Sequence, residues 1–232
     1  MAEELKETGL DRLDGESSSV RLVRDDYGLA LVGDGMELRG DFSRMLPRLR
    51  QGRLQQELLV KAVRIKGAEA PTAVDCTAGL GEDSLLLAAA GFTVTLFERD
   101  QTIAALLADA LERAAADPRL AEAIGRMTLV ADDSIAGLAT LPEPPDVVYL
   151  DPMFPARTKS AAVKKKFQLL HHLEQPCEEE EALVAAALAA QPRKVVIKRP
   201  AKGPYLAGIK PSYSIDGKAV RYDCFIPASM KL

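Results

Sequence analysis

From Thr72 to Lys198 the chain switches repeatedly between short apolar runs and helical spacing, and that alternation restricts the fold more than any other feature. T-A-V-D-C-T is followed by helical spacing over Glu82 to Ala90, then T-V-T-L-F, then a helix from about Thr102 to Ala116. M-T-L-V-A (127 to 131), D-V-V-Y-L (146 to 150) and K-V-V-I-K (194 to 198) supply three more candidate strands. Helical patterns near Ala161 to Leu173 and from Glu178 to Ala190 lie between the last two. Strands alternating with helices predict a parallel sheet with covering helices, an α/β doubly wound fold. The tail, Tyr213 to Ile215 and Ala219 to Ile226 joined by Asp216-Gly217, reads as an antiparallel hairpin that closes the sheet.

Three parts are expected along the 232 residues. Residues 1–19 are acidic and rich in Gly and Ser, and are expected to be mobile. Residues 20–66 form a small β-rich subdomain with a lead-in helix. Val20 to Arg39 is cut by the turn signals Asp25-Asp26-Tyr27-Gly28 and Gly33-Asp34-Gly35, which predicts an antiparallel meander. Gln51 to Lys66 has helical spacing and ends at Gly67, a candidate C-cap. Residues 67–232 form the main Rossmann-like domain.

The three cysteines, Cys76, Cys177 and Cys224, lack the CxxC spacing of a zinc or redox site, and a reducing cytoplasm is the simplest home. No stretch reaches the ~18 apolar residues of a membrane span. His171 and His172 are adjacent, with no other histidine to complete a metal site, so no metal is expected. The net charge of -4 argues at first against a nucleic-acid partner, but its distribution argues for one. Residues 1–150 hold 16 Lys/Arg against 26 Asp/Glu, whereas 151–232 hold 14 against 8. A second basic block, Arg39 to Lys66, carries eight Lys/Arg against Asp41 and Glu57, so two basic segments could frame one cleft.

In V-D-C-T-A-G-L-G a strand ends in Asp75 and a turn with Gly79 and Gly81 opens a helix, where the backbone can approach a ligand closely. Ser84 stands where a dinucleotide fingerprint wants its third glycine, and the D-x-x-x-G-x-G form resembles motif I of methyltransferases. Glu98 ends the next strand, placed to accept hydrogen bonds from a ribose diol, with Arg99 beside it for the adenine. Asp132, Asp133 and Ser134 follow the third strand and suit an adenine edge, although Asp and Ser are also ordinary helix N-caps.

The sharpest motif is V-V-Y-L-D-P-M-F-P, residues 147 to 155, which resembles the [D/N]-P-P-[F/Y/W] motif of amino methyltransferases. An exocyclic base amine is a poor nucleophile because its lone pair is conjugated into the ring. Asp151 and the Pro152 carbonyl can accept its N–H bonds, and Phe154 can stack on the unstacked base. Arg157, Lys159, Lys164, Lys165 and Lys166 follow directly, and Lys198 and Arg199 leave the fifth strand on the same rim. These are the candidate RNA contacts, the lysine run being equally readable as a solvated helix face.

Together these motifs resemble the ribosomal RNA small subunit methyltransferase J family. The likeness rests on K-A-V-R-I-K-G (61 to 67), D-C-T-A-G-L-G-E-D (75 to 83), L-F-E-R (96 to 99), V-V-Y-L-D-P-M-F-P, K-S-A-A-V-K-K (159 to 165), V-V-I-K-R-P (195 to 200) and R-Y-D (221 to 223). The resemblance implies a class I fold that uses S-adenosylmethionine, yields S-adenosylhomocysteine, and methylates a guanine N2 in 16S rRNA of the small ribosomal subunit. It also implies cofactor contacts from Glu82-Asp83, Glu98-Arg99, Asp133-Ser134 and Asp151, beside the motif residues Asp75, Gly79 and Gly81. Glu82 occupies a position where the family is expected to carry arginine. A DNA adenine or cytosine amino methyltransferase, or a non-catalytic nucleotide-binding assembly factor, stays open on the motifs alone.

Overall fold

The computed structural model describes residues 20–33, 35–152 and 179–227. The expectations for residues 1–19 and for the helix from Ala161 to Leu173 lie outside the described residues.

The meander forms as β1 (Arg21–Asp25), β2 (Gly28–Gly33) and β3 (Met36–Leu38), antiparallel in that order. Its first turn closes through the Tyr27 N–H donating to Asp25 and through Gly28 at φ +105, a conformation that costs glycine little. The single helix expected over Gln51 to Lys66 is not what forms. After α1 (Leu46–Leu49) there is a 3-10 turn at Leu54–Gln56 and then a short α2 (Leu58–Val63). The break falls at Glu57, which is non-helical (φ -58, ψ 130) and whose carboxylate meets Arg48 in two hydrogen bonds of 2.9 and 2.8 Å. α2 has ended before Gly67, so that glycine is not its cap. Leu54, Leu59, Ala62 and Val63 are buried all the same. The apolar spacing identified what is covered, not whether the helix is continuous.

The main sheet is built from β4 (Thr72–Asp75), α3 (Glu82–Ala89), β5 (Thr93–Phe97), α4 (Gln101–Ala115), α5 (Ala121–Ile124), β6 (Met127–Val130), α6 (Ser134–Ala139), β7 (Val147–Leu150), α7 (Glu180–Ala189), β8 (Lys194–Pro200), β9 (Tyr213–Asp216) and β10 (Val220–Phe225). Its order is β6-β5-β4-β7-β8-β10-β9, with β4 to β8 parallel and the hairpin antiparallel. β10, the second strand of the hairpin, inserts between β8 and β9. The winding reverses at β4: the chain first runs outward through β5 and β6, then returns to the other flank of β4 as β7. Such a reversal opens a crevice beyond the carboxyl ends of the two central strands.

Strand alternation divides the core. Val147, Tyr149, Val196, Tyr222 and Cys224 pack on the face covered by α2 and α3, where Leu85, Leu86 and Leu87 are all buried. Val148, Leu150, Val195, Ile197 and Phe225 pack on the other face against Leu183 and Val184 of α7. Each such fully buried aliphatic side chain contributes about 1.5–3 kcal/mol. The small sheet docks on α4 through Leu31, Leu38 and Leu106. Asp109, almost fully buried, accepts from Arg24 and Arg113 at 2.7 Å each, and Arg113 reaches the Gly40 carbonyl at 2.6 Å.

Candidate active site

At the carboxyl end of β4 the chain must leave a strand and start a buried helix within a few residues. Two glycines make this possible in different ways. Gly81, at φ +76, precedes α3, and a Cβ there would lie 2.7 Å from Leu107 and 3.0 Å from Phe42. Gly79, at φ +54, borders open space: an added Cβ would have no neighbour within 4 Å. Its N–H donates to Glu98 at 2.9 Å, and the other Glu98 oxygen accepts from the Asp100 N–H at 2.9 Å. Glu98 therefore braces the glycine loop from the end of β5, and burial pushes its carboxyl above the ordinary range.

Beneath the loop Asp75 is buried. One oxygen accepts from the Thr77 N–H at 3.0 Å and the other from the Ser84 hydroxyl at 2.6 Å. Ser84 thus serves the loop as an anchor from α3 rather than as a cofactor cradle. Burial, with Asp83 and Asp151 nearby, pushes Asp75 up to about 7 against those two hydrogen bonds. Thr77 also ties the loop to β7, its hydroxyl oxygen accepting from the Asp151 N–H at 2.7 Å.

An acidic corner lies on the α3 face of the sheet. Tyr149, Asp151 and Lys198 share that face because strand residues two apart point the same way. Leu150 pairs with Ile197 on the last rung between β7 and β8, so Asp151 and Lys198 come next to each other. Lys198 Nζ donates to Asp151 at 2.8 Å and to Asp83, in the first turn of α3, at 2.7 Å. Tyr149, fully buried, donates its hydroxyl to the same Asp83 oxygen at 2.6 Å. Burial and the facing Asp83 raise Asp151, while Lys198 opposes them. Burial works against the lysine's charge, but its two carboxylates outweigh that and hold it protonated. Asp151 keeps 34% of its side-chain surface exposed, so the corner is open on one side.

Comparison with known proteins decides the family. A family model described as "Putative SAM-dependent methyltransferase" matches residues 7–227. The ribosomal RNA small subunit methyltransferase J of Thioalkalivibrio sulfidiphilus is 46% identical over 224 residues, covering 92% of this chain and 88% of its own. The chain belongs to the ribosomal RNA small subunit methyltransferase J family. The protein of that name from Nitrosococcus oceani is 44% identical over 181 residues, covering 77% of this chain and 71% of its own. A SAM-dependent methyltransferase from Neisseria gonorrhoeae, solved by crystallography, is 31% identical with a TM-score of 0.75, covering 95% of this chain and 88% of its own.

This methyltransferase uses S-adenosylmethionine (SAM), and its loop fits that group. The open space at Gly79, the buried Glu98 that braces it and the nearby carboxylates of Asp83 and Asp151 lie at the carboxyl ends of the strands, the side of the sheet where such folds hold a nucleoside. Asp133 accepts from the Ile135 and Ala136 N–H groups and so caps α6 with one oxygen, while Ser134 is buried. Arg99 is exposed and lies 3.8 Å from Glu179. Glu82 is exposed in the first turn of α3, which explains how a glutamate is tolerated there.

Two expectations for the basic rim change. Lys198 is not displayed outward but holds two carboxylates. Arg199 points to the opposite face of β8, is 2% exposed and donates to the Pro204 carbonyl at 2.9 Å, so it is a buried brace rather than a rim cation. In the Arg39 to Lys66 block Arg50, Arg53, Lys61, Arg64 and Lys66 are exposed, while three arginines are paired. Arg39 is paired with Asp25 and Glu37, Arg44 with Asp41, and Arg48 with Glu57. Pro152 follows Asp151 in a buried position. Phe154, Arg157, Lys159, Lys164, Lys165 and Lys166 lie outside the described residues.

Tyr149, Thr77 and Tyr222 were missed. Tyr149 stands two residues before Asp151, a same-face signal that strand periodicity carries; Tyr222 pairs with Lys198 across β10 and β8, and nothing local announces that. Among the described residues no helix is long and apolar enough to cross a membrane, and no group of three or more His, Cys, Asp or Glu is placed to hold a metal.

Proposed function

We propose that this methyltransferase methylates the exocyclic N2 of a guanine in 16S rRNA, presented as the RNA or as the small ribosomal subunit in the cytoplasm. The observation that carries the reading is Asp151. It stands at the open carboxyl end of β7 with its backbone held by Thr77 and one oxygen held by Lys198, beside the glycine loop. The relatives named ribosomal RNA small subunit methyltransferase J support the substrate class.

When bound, SAM supplies a methyl group already activated by its sulfonium. The protein's work is then mostly alignment. The free side of Asp151 and the Pro152 carbonyl accept the amine's N–H bonds and turn its lone pair out of conjugation, and Phe154 stacks on the base. On the cofactor side Gly79, Gly81 and Asp75 shape the loop, Glu98 faces the ribose, and Arg99, Asp133 and Ser134 border the adenine. Glu82 and Asp83 lie at the methionine end. Arg157, Lys159, Lys164, Lys165 and Lys166 meet phosphates.

The test is tritiated-methyl transfer to small subunits and to naked rRNA from a strain lacking the gene, with mass spectrometry of the product nucleoside. N2-methylguanosine is expected. Asp151→Ala should cut transfer by about 100-fold or more while leaving the thermal melt in place, since misaligned reactants lose rate on that scale. Wild-type rates in Asp151→Ala overturn the mechanism, and a methylated adenine or cytosine overturns the substrate.

A further inference from the structure

Lys198 leaves β8 where a phosphate contact was expected, yet its ammonium is committed inward. Asp75, Asp83 and Asp151 converge from the ends of β4, α3 and β7, and among the described hydrogen bonds Lys198 is the cation that joins two of them. Arg48, the neighbouring cation on the same face, is held by Glu57, and Arg199 lies on the opposite face. Tyr149 fixes Asp83 from below, so the lysine is seated between an anchored carboxylate and a partly open one.

We propose that Lys198 is the positioning residue of the reaction centre: it clamps one oxygen of Asp151 so that the other faces the base amine, and it keeps that carboxylate ionised. The inference rests on the reading of Asp151 as the amine acceptor. An ionised carboxylate accepts the amine's N–H bonds, whereas a protonated one would present a donor to it and leave the lone pair in conjugation. In the transfer a nitrogen–carbon bond forms as the carbon–sulfur bond breaks, the electron pair staying on sulfur, and the nitrogen becomes cationic until it passes one proton to the Asp151 carboxylate, which releases it to water. A carboxylate held as an anion stabilises that developing charge. A lysine with two carboxylate partners does this without presenting its own charge to the base. The groups facing Asp151 are Lys198 from β8, Asp83 from α3, Asp75 from β4, Tyr149 from β7 and Tyr222 from β10, while Arg199 acts on it only through its charge from the opposite face of the sheet. Lys198 is the one that lowers Asp151 through a direct hydrogen bond, so its removal should make Asp151 easier to protonate.

The experiment compares wild type, Lys198→Gln and Lys198→Arg by transfer kinetics across pH and by 13C NMR titration of aspartate carboxyls, with Asp151→Asn locating the Asp151 signal. For Lys198→Gln, kcat at pH 7 should fall roughly 30-fold or more. The acidic limb of the rate profile and the Asp151 titration should both move up by about one pH unit or more. The salt dependence of RNA binding should stay as in wild type. Lys198→Arg should return part of the shift in both readouts, because a guanidinium can still hold the carboxylate. An unmoved Asp151 titration, or unchanged kcat with weaker RNA binding and a shallower salt slope, overturns the inference and returns Lys198 to a phosphate contact. If wild type moves no methyl to ribosomal RNA, the substrate reading fails by itself, and the NMR arm still decides the clamp.

Discussion

Asp75 offers the sharpest test of how the buried corner is built. Asp75→Asn is nearly isosteric: the amide oxygen can keep the Thr77 N–H, and the amide nitrogen can donate to Ser84, whose hydroxyl rotates to accept. The charge is what changes. In the folded chain burial pushes the Asp75 carboxyl up to about 7, against 3.8 for an ordinary aspartate. Folded protein therefore keeps this proton while the unfolded chain loses it, so stability falls as pH rises between those values. At about 1.4 kcal/mol per pH unit, the wild type gives up about 4 kcal/mol by neutral pH. Asp75→Asn escapes that loss. Urea unfolding followed by circular dichroism should find the variant more stable at pH 8 by about 2–4 kcal/mol, the gap closing as pH falls toward 4. Other groups titrate in both proteins and cancel in the difference. A gap that does not vary with pH, or a variant less stable at pH 8, refutes the placement of Asp75 as a buried carboxyl with raised affinity for its proton.

The two loop glycines should separate. Gly81→Ala forces a Cβ against Leu107 and Phe42 at a positive φ and should cost about 2–4 kcal/mol in urea unfolding, whereas Gly79→Ala, with only its φ to accommodate, should cost about 1–2 kcal/mol. In calorimetry Gly79→Ala should nonetheless weaken SAM binding about tenfold or more, since its Cβ enters the open space the cofactor needs; equal Kd values refute that use of the space. Replacing Lys164, Lys165 and Lys166 together with Glu should weaken rRNA binding and flatten its log–log salt dependence by roughly two to three, measured by filter binding; an unchanged slope assigns the run to a solvated face.

The parallel sheet was legible because its strands are buried on both faces, so continuous runs such as V-V-Y-L leave a mark that single residues cannot hide. The motifs Asp75 to Gly81 and Asp151-Pro152 were legible for the related reason that strand-ending acids and glycines interrupt such runs. The lead-in helix was misjudged because its apolar spacing records burial, while the break at Glu57 depends on a pairing with Arg48 nine residues earlier. A comparable pairing takes Arg39 of the N-terminal basic block to Asp25, fourteen residues earlier.

Lys198 and Arg199 mark the boundary between the two kinds of information. The sequence alone determined that both follow an apolar strand on the rim of an α/β sheet, beside a carboxylate suited to bind an amine. That they point to opposite faces followed only once β8 was found to run through both of them to Pro200, since adjacent strand residues alternate. Which face holds Asp83 and Asp151 and which holds the Pro204 carbonyl was decided only by the tertiary structure, through the order β7-β8-β10 and the helix packed on each side. A cation's role is set by the partners within hydrogen-bond reach, and here those partners lie as far away in the chain as Asp83 is from Lys198.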